Sequence, residues 1–279
     1  MPNQDRSIAE LEDCCVLDSI THLKREIGEV VVVAGSHCGA YSARYALQFQ
    51  ISAIILNDAG VGKDRAGISG LGILGRAGIP AAAIAHLSAR IGDGADCLAR
   101  GVISHCNGLA SDLGVTINMP AREAIGYLRG SKSLPRLEQR IEKESRHSIA
   151  IPGGSRAVII TDSASLVGPG DEGAVIVTGS HGGLLGGRPE TAMKADVFAA
   201  LFNDAGVGAE DAGISRLPAL DARRIAAATV DAWSARIGEA QSTYEEGVLS
   251  HVNETASRIG ACAGMTARAF VELAATSPA

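Results

Sequence analysis

Asn57–Ser69 reads NDAGVGKDRAGIS, and Asn203–Ser215 reads NDAGVGAEDAGIS. Ten of these thirteen positions are identical, 146 residues apart. Two copies at that distance indicate a duplicated domain, because solenoid units recur at roughly 20–50 residues. Outward from this stretch the pairing continues. Ser88-Ala89-Arg90-Ile91-Gly92 returns as Ser234-Ala235-Arg236-Ile237-Gly238, and Ser104-His105 returns as Ser250-His251. Upstream, Gly35-Ser36-His37 returns as Gly179-Ser180-His181, and Asp18-Ser19 as Asp162-Ser163. The offset is 144 up to that Gly-Ser-His and 146 after it, so the second copy is two residues longer beyond His181.

The apolar runs give the fold class. Cys14–Leu17, Val30–Ala34, Ile51–Leu56 and Pro80–Ala85 are short, continuous and closed by turn residues, and the second copy repeats the series. Such runs suit strands buried on both faces of a parallel sheet. Residues 39–50, 107–113 and 119–128 have helical composition, and residues 1–13 read as a helical lead-in. The expectation is an α/β fold: two homologous subdomains with mostly parallel sheets, related by a pseudo-twofold axis. Residues 1–128 make the first unit with its lead-in and 151–279 the second. The charge-rich 129–150 reads as a linking segment with an exposed helix around Leu137 and Ile141.

Composition narrows the class of function. With 46% hydrophobic residues the chain buries a core, and 34 glycines with 3% aromatics suit closely packed α/β layers. A net charge of -6 offers no basic stripe for nucleic acid. No apolar run approaches the roughly 20 residues of a membrane span. The polar, acidic N-terminus lacks a secretory pattern, and the six cysteines show no zinc-type spacing, so a cytoplasmic protein with reduced thiols is expected.

The identities between copies concentrate where strands end, and ligands of open α/β sheets bind at the carboxyl ends of strands. The glycines answer to turn geometry; the Arg, His and Asp residues are not required by turns. The expected acid–base and nucleophilic groups are Ser36, His37, Asp58 and His105 with Ser180, His181, Asp204 and His251. The expected substrate contacts are Asn57, Ser88 and Arg90 with Asn203, Ser234 and Arg236, and the backbone of Gly182 and Gly183. An arginine fork recognises carboxylates in bidentate fashion. Amides at a helix start after Gly-Ser-His would take an oxyanion. An interdomain ion pair with Asp58 or Asp204 is the structural alternative for Arg90 and Arg236, and helix capping for the serines. No cofactor is expected. A divalent metal on Asp18, Asp58, His37 and His105 is a competing arrangement. Cys38, Lys63 and His86 face Gly182, Ala209 and Ala232 in the other copy, so the repeat does not support them as shared machinery.

The functional expectation is a hydrolase of a small polar, carboxylated amide or cyclic amide, acting in a cleft of strand-end loops. An isomerase or racemase with bases from both halves is one alternative. A non-catalytic two-lobed small-molecule binder is the other. The partner is then a small molecule, and a homo-oligomer is expected for a soluble enzyme.

Overall fold

The computed structural model describes residues 9–11, 14–24, 28–131 and 145–278. The chain is an α/β protein of two similar halves. The first half places β1 (Ala9–Leu11), β2 (Cys14–Leu17), β3 (Val31–His37), β4 (Ala53–Asn57), β5 (Ala81–Ile84) and β6 (Ile103–Cys106) in one sheet, in that spatial order. Strands β2 to β5 run parallel, and β1 and β6 close the edges antiparallel. The second half does the same with β7 (Arg146–Ile149), β8 (Val158–Thr161), β9 (Val175–His181), β10 (Ala199–Asn203), β11 (Ala226–Val230) and β12 (Leu249–Val252). Strands β8 to β11 are parallel, with β7 and β12 antiparallel at the edges.

Alternation along the strands builds two cores per sheet. Val31, Val33, Ala53 and Ile55 face α3 (Gly94–Arg100) and α5 (Ala121–Leu128), through Cys97, Leu98, Ala124 and Leu128. Val32, Ala34, Ile54 and Leu56 face α1 (Ala40–Ala46) and α2 (Gly70–Arg76), through Ala43, Ala46, Leu71 and Leu74. This is the burial of both faces that the continuous apolar runs require. A short α4 (Gly108–Asp112) begins at Asn107, whose side chain accepts from Ala110 N.

The second sheet is covered on one face by α7 (Ala240–Glu246) and α9 (Ala267–Thr276), and on the other by α6 (Arg216–Asp221). α8 (Glu254–Arg258) is the counterpart of α4. One element differs. Where α1 crosses from β3 to β4, the second half has two 3-10 turns, Leu185–Gly187 and Pro189–Thr191, in a longer irregular crossover.

Ala9–Leu11 is a strand rather than part of a helical lead-in. Three residues are too few to nucleate a helix, and the open edge of β2 supplies backbone partners. Residues 1–8 and 12–13 lie outside the described residues. So does most of the expected linking helix, including Leu137 and Ile141. At the end of that segment, Arg146–Ile149 forms the edge strand β7.

The halves meet through the repeated stretch itself. Residues 59–62 all have positive φ (49°, 73°, 62°, 63°), and 205–208 repeat the pattern (51°, 73°, 63°, 74°). Contacts across the junction are reciprocal. Lys63 N donates to Ala232 O, and Ala209 N donates to His86 O, both at 2.8 Å. Arg90 pairs with Glu210 at 2.8 Å, and Arg236 with Asp64 at 3.0 Å. Ala59, Ala66 and Ile91 pack against Ala205, Ala212 and Ile237 in a small core of their own.

Candidate functional site in the cleft between the halves

A cavity of about 390 Å³ opens between the halves at the carboxyl ends of β2, β3, β8 and β9. Both Gly-Ser-His segments reach it because a bulge displaces the end of each strand. Val33 pairs with Ile55, yet His37 pairs with Asn57, so four steps on β3 match two on β4. The same shift brings His181 opposite Asn203. A bulge of this kind re-aims the side chain that follows it.

Hydroxyl groups line the floor in matching pairs. Ser19 Oγ lies 2.8 Å from Thr21 Oγ1, and Ser163 Oγ lies 2.8 Å from Ser165 Oγ. Ser36 Oγ accepts from Ile20 N, and Ser180 Oγ from Ala164 N, each at 2.9 Å. These bonds fasten the 3-10 turn after β2 or β8 to its neighbouring strand. No base touches Ser36 or Ser180 among the described residues, so neither is set up as an activated nucleophile.

The two imidazoles are fixed in one tautomer. His37 Nδ1 accepts from Gly39 N, and His181 Nδ1 from Gly183 N, each at 3.1 Å. A nitrogen that accepts carries no proton, so each neutral ring is protonated at Nε2. Both rings are buried. Burial pushes His37 down to about 4. Burial also holds His181 well below its usual value, with the charge of Arg216 and neighbouring His37 adding to the effect. Both therefore stay neutral near pH 7 and act as N–H donors, not as general bases.

Each ring is covered by a glycine from the opposite half. A β-carbon on Gly238 would lie 3.0 Å from His37 Cε1, and one on Gly92 would lie 3.3 Å from His181 Cε1. The glycine that ends each Ser-Ala-Arg-Ile-Gly stretch thus makes room for the other half's histidine.

The walls differ. Tyr41 and Ser42 of α1 line the first-half side; the Tyr41 ring lies 6.5 Å from that of His37. Arg216 lines the second-half side and is 5% exposed. It takes the place of Gly70, which packs under α1. Its guanidinium donates to the carbonyls of Gly183, Thr191 and Ala192 and so braces the irregular crossover. Burial lowers it to about 10, which leaves it charged at neutral pH. Among the described residues it has no carboxylate partner.

The remaining expected residues lie elsewhere. Asn57 and Asn203 are fully buried; each accepts from the amide two residues on and donates to Ala89 O or Ala235 O. The Ser88 and Ser234 hydroxyls bond to loop backbone, and Ser234 O accepts from Lys63 Nζ. Arg90 and Arg236 make the interdomain ion pairs weighed as the structural alternative, with Glu210 and Asp64 as the acids in place of Asp58 or Asp204. Gly182 O accepts from Arg216 N, and Gly183 N holds His181.

At the expected oxyanion position, Gly39 N at the start of α1 donates to His37 Nδ1, and a 3-10 turn rather than an α-helix follows His181. The donors that face the cavity are imidazole and hydroxyl groups instead. Among the described residues no three His, Cys, Asp or Glu side chains gather to hold an ion. Asp18 accepts from Gly94 N at the start of α3, while Asp58 serves a different network. Cys38 is buried, which pushes its thiol up to about 12 and leaves it inert.

That other network belongs to the first half. Asp58 Oδ1 lies 2.9 Å from His86 Nδ1, and Asp58 Oδ2 accepts from Ser104 Oγ at 2.8 Å. Ser104 Oγ lies 3.1 Å from His105 Nδ1. Because the hydroxyl proton goes to the carboxylate, His105 Nδ1 must donate to Ser104 Oγ. Burial works to raise Asp58, but the hydrogen bonds from His86 and Ser104 outweigh it and hold the carboxyl below its usual range. Asp204 lacks a histidine partner because Ala232 stands for His86, and burial raises it. The His251 Nδ1 atom is buried without a partner among the described residues. In the first half Asp58 thus bonds directly to His86 and reaches His105 through Ser104.

Sequence reasoning missed Thr21 and Ser165, whose hydroxyls recur at the same offset after each Asp-Ser pair. It missed Tyr41, Ser42, Lys194 and Arg216, which have no counterpart in the other copy; the one trace is that Arg216 follows the repeated Gly-Ile-Ser where the first copy has Gly70. Comparison of the chain with protein-family models, curated proteins and solved structures gave no match. No described helix is long and apolar enough to cross a membrane.

Proposed function

We propose that this protein binds a small, anionic, carbonyl-bearing molecule in the cleft between its halves. One observation carries the reading: a buried, charged Arg216 without a carboxylate shares a cavity with two neutral imidazoles whose Nε2–H groups are donors. A buried cation without a counter-ion is costly unless a ligand supplies one. Donors and a cation on its walls describe a site that receives negative charge. We also infer that the halves are copies of one unit about a pseudo-twofold axis, since their junction contacts exchange equivalent residues.

Hydrolysis of a carboxylated amide is the second reading, and the donor pair favours it. Water adding across the C–N bond gives an acid and an amine through a tetrahedral oxyanion, which N–H groups of His37 and His181 would stabilise. Arg216 would hold the substrate carboxylate in this scheme, in place of Arg90 or Arg236. An isomerase would need bases on both walls, whereas His37 and His181 are held as donors.

Equilibrium dialysis against a metabolite extract, read by mass spectrometry, tests the binding reading. The wild type should retain small carboxylated compounds that Ser165→Trp, which fills the cleft from its rim, does not. Equal retention by both proteins would contradict it. Recovery of the compound cleaved rather than intact selects the hydrolytic reading.

A further inference from the structure

The charge on the cavity wall is lopsided. Among the described residues that line it there is no acidic side chain. Two lining residues are cationic, Arg216 and Lys194, and both belong to the second half. Neither makes an ion pair among the described residues. Lys194 Nζ donates to Ser165 O at 2.6 Å, which holds the ammonium at the rim. On the first-half wall His37 is a neutral donor, His22 also lines the cavity, and the Ser42 side chain, 1% exposed, has an Oγ with no hydrogen-bond partner among the described residues. A buried hydroxyl without a partner costs stability unless a ligand or water completes it.

Two unpaired cations and no anion set the complementary charge near minus two. The placement sets its direction, because the cations share one wall and the orphaned hydroxyl is on the other. We propose that the ligand is a short dianion, a dicarboxylate or a phosphate monoester, with its charge at Arg216 and Lys194 and its uncharged polar end at His37 and Ser42. This rests on the cleft being the ligand site. It adds the ligand's charge and the way round it lies. The duplicated frame supplies the paired hydroxyls and imidazoles, and the unmatched residues Arg216 and Lys194 supply the polarity.

Calorimetric titration of the full chain with malonate, inorganic phosphate, acetate and malonamide tests the proposal. At least one dianion should bind about tenfold or more tightly than acetate, a difference of one further ion pair at low salt. Malonamide, of malonate's shape without charge, should not bind. Malonate against phosphate tells the dicarboxylate from the phosphate source. Lys194→Met, at an exposed position that leaves the fold intact, should weaken the preferred dianion about fivefold and acetate less. Acetate or malonamide binding as tightly as both dianions, with Ser165→Trp abolishing it, would overturn the dianion and leave the cleft as the site. Binding of none of the four, or binding that Ser165→Trp does not change, would overturn the cleft reading along with it.

Discussion

Gly60 and Gly206 meet backbone to backbone where the two halves join: a β-carbon on Gly60 would lie 2.9 Å from the Cα of Gly206, and φ is +73° at both. Either substitution by alanine therefore adds a left-handed residue with a β-carbon and a clash that no flexible side chain can absorb. Gly60→Ala and Gly206→Ala should each cost about 2–4 kcal/mol. Because the two share one contact, the double variant should lose less than the sum. Urea denaturation of the three variants checks this.

This contact explains what the sequence could and could not convey. The buried Asn57, Asp58 and their counterparts hold the positive-φ turns, and those turns pack against each other. A loop that touches its own copy must satisfy one geometry in both halves, which is reason enough for identity there. The apolar runs made the parallel sheets legible, because burial of both faces leaves no other pattern. Of the four repeated histidines, His37 and His181 line the cavity, while His105 and His251 do not. The role of the first two as donors was not legible, since it depends on which backbone amide meets Nδ1. Arg216 was hidden for the opposite reason: it departs from the repeat, and its carbonyl partners lie in a crossover the first half does not have.

Stability should fall on acidification from neutral pH. An unfolded histidine takes up a proton near pH 6.5, whereas buried His37 does so only near 4. Between those values the unfolded chain binds more protons, so stability rises with pH there. The contribution of His37 is complete above about pH 6.5, declines as pH falls towards 4, and amounts to about 3 kcal/mol. His181 acts in the same direction. Urea midpoints between pH 4 and 7 should show the slope, and His37→Gln should flatten it.

His86 is what separates Asp58 from Asp204. His86→Ala reproduces the environment of Asp204, where Ala232 occupies the equivalent position, and should raise the Asp58 carboxyl towards the behaviour of its counterpart. A carbon-13 NMR titration of the aspartate carboxyls follows it; an unmoved Asp58 would mean that Ser104 and the backbone hold it alone.

The histidines of the two centres should have opposite tautomers. Nitrogen-15 NMR at neutral pH should find His37 and His181 protonated at Nε2, and His105 at Nδ1. Ser104→Ala removes the acceptor that fixes His105 and should leave that ring a mixture of both forms, with His37 unchanged.

The most direct test of the cleft as the binding site is a crystal structure of the protein soaked with malonate. The account predicts the anion against the Arg216 guanidinium, within hydrogen-bond reach of Nε2 of His37 or His181. Malonate held instead at Arg90 or Arg236, with the cleft containing only water, would contradict it.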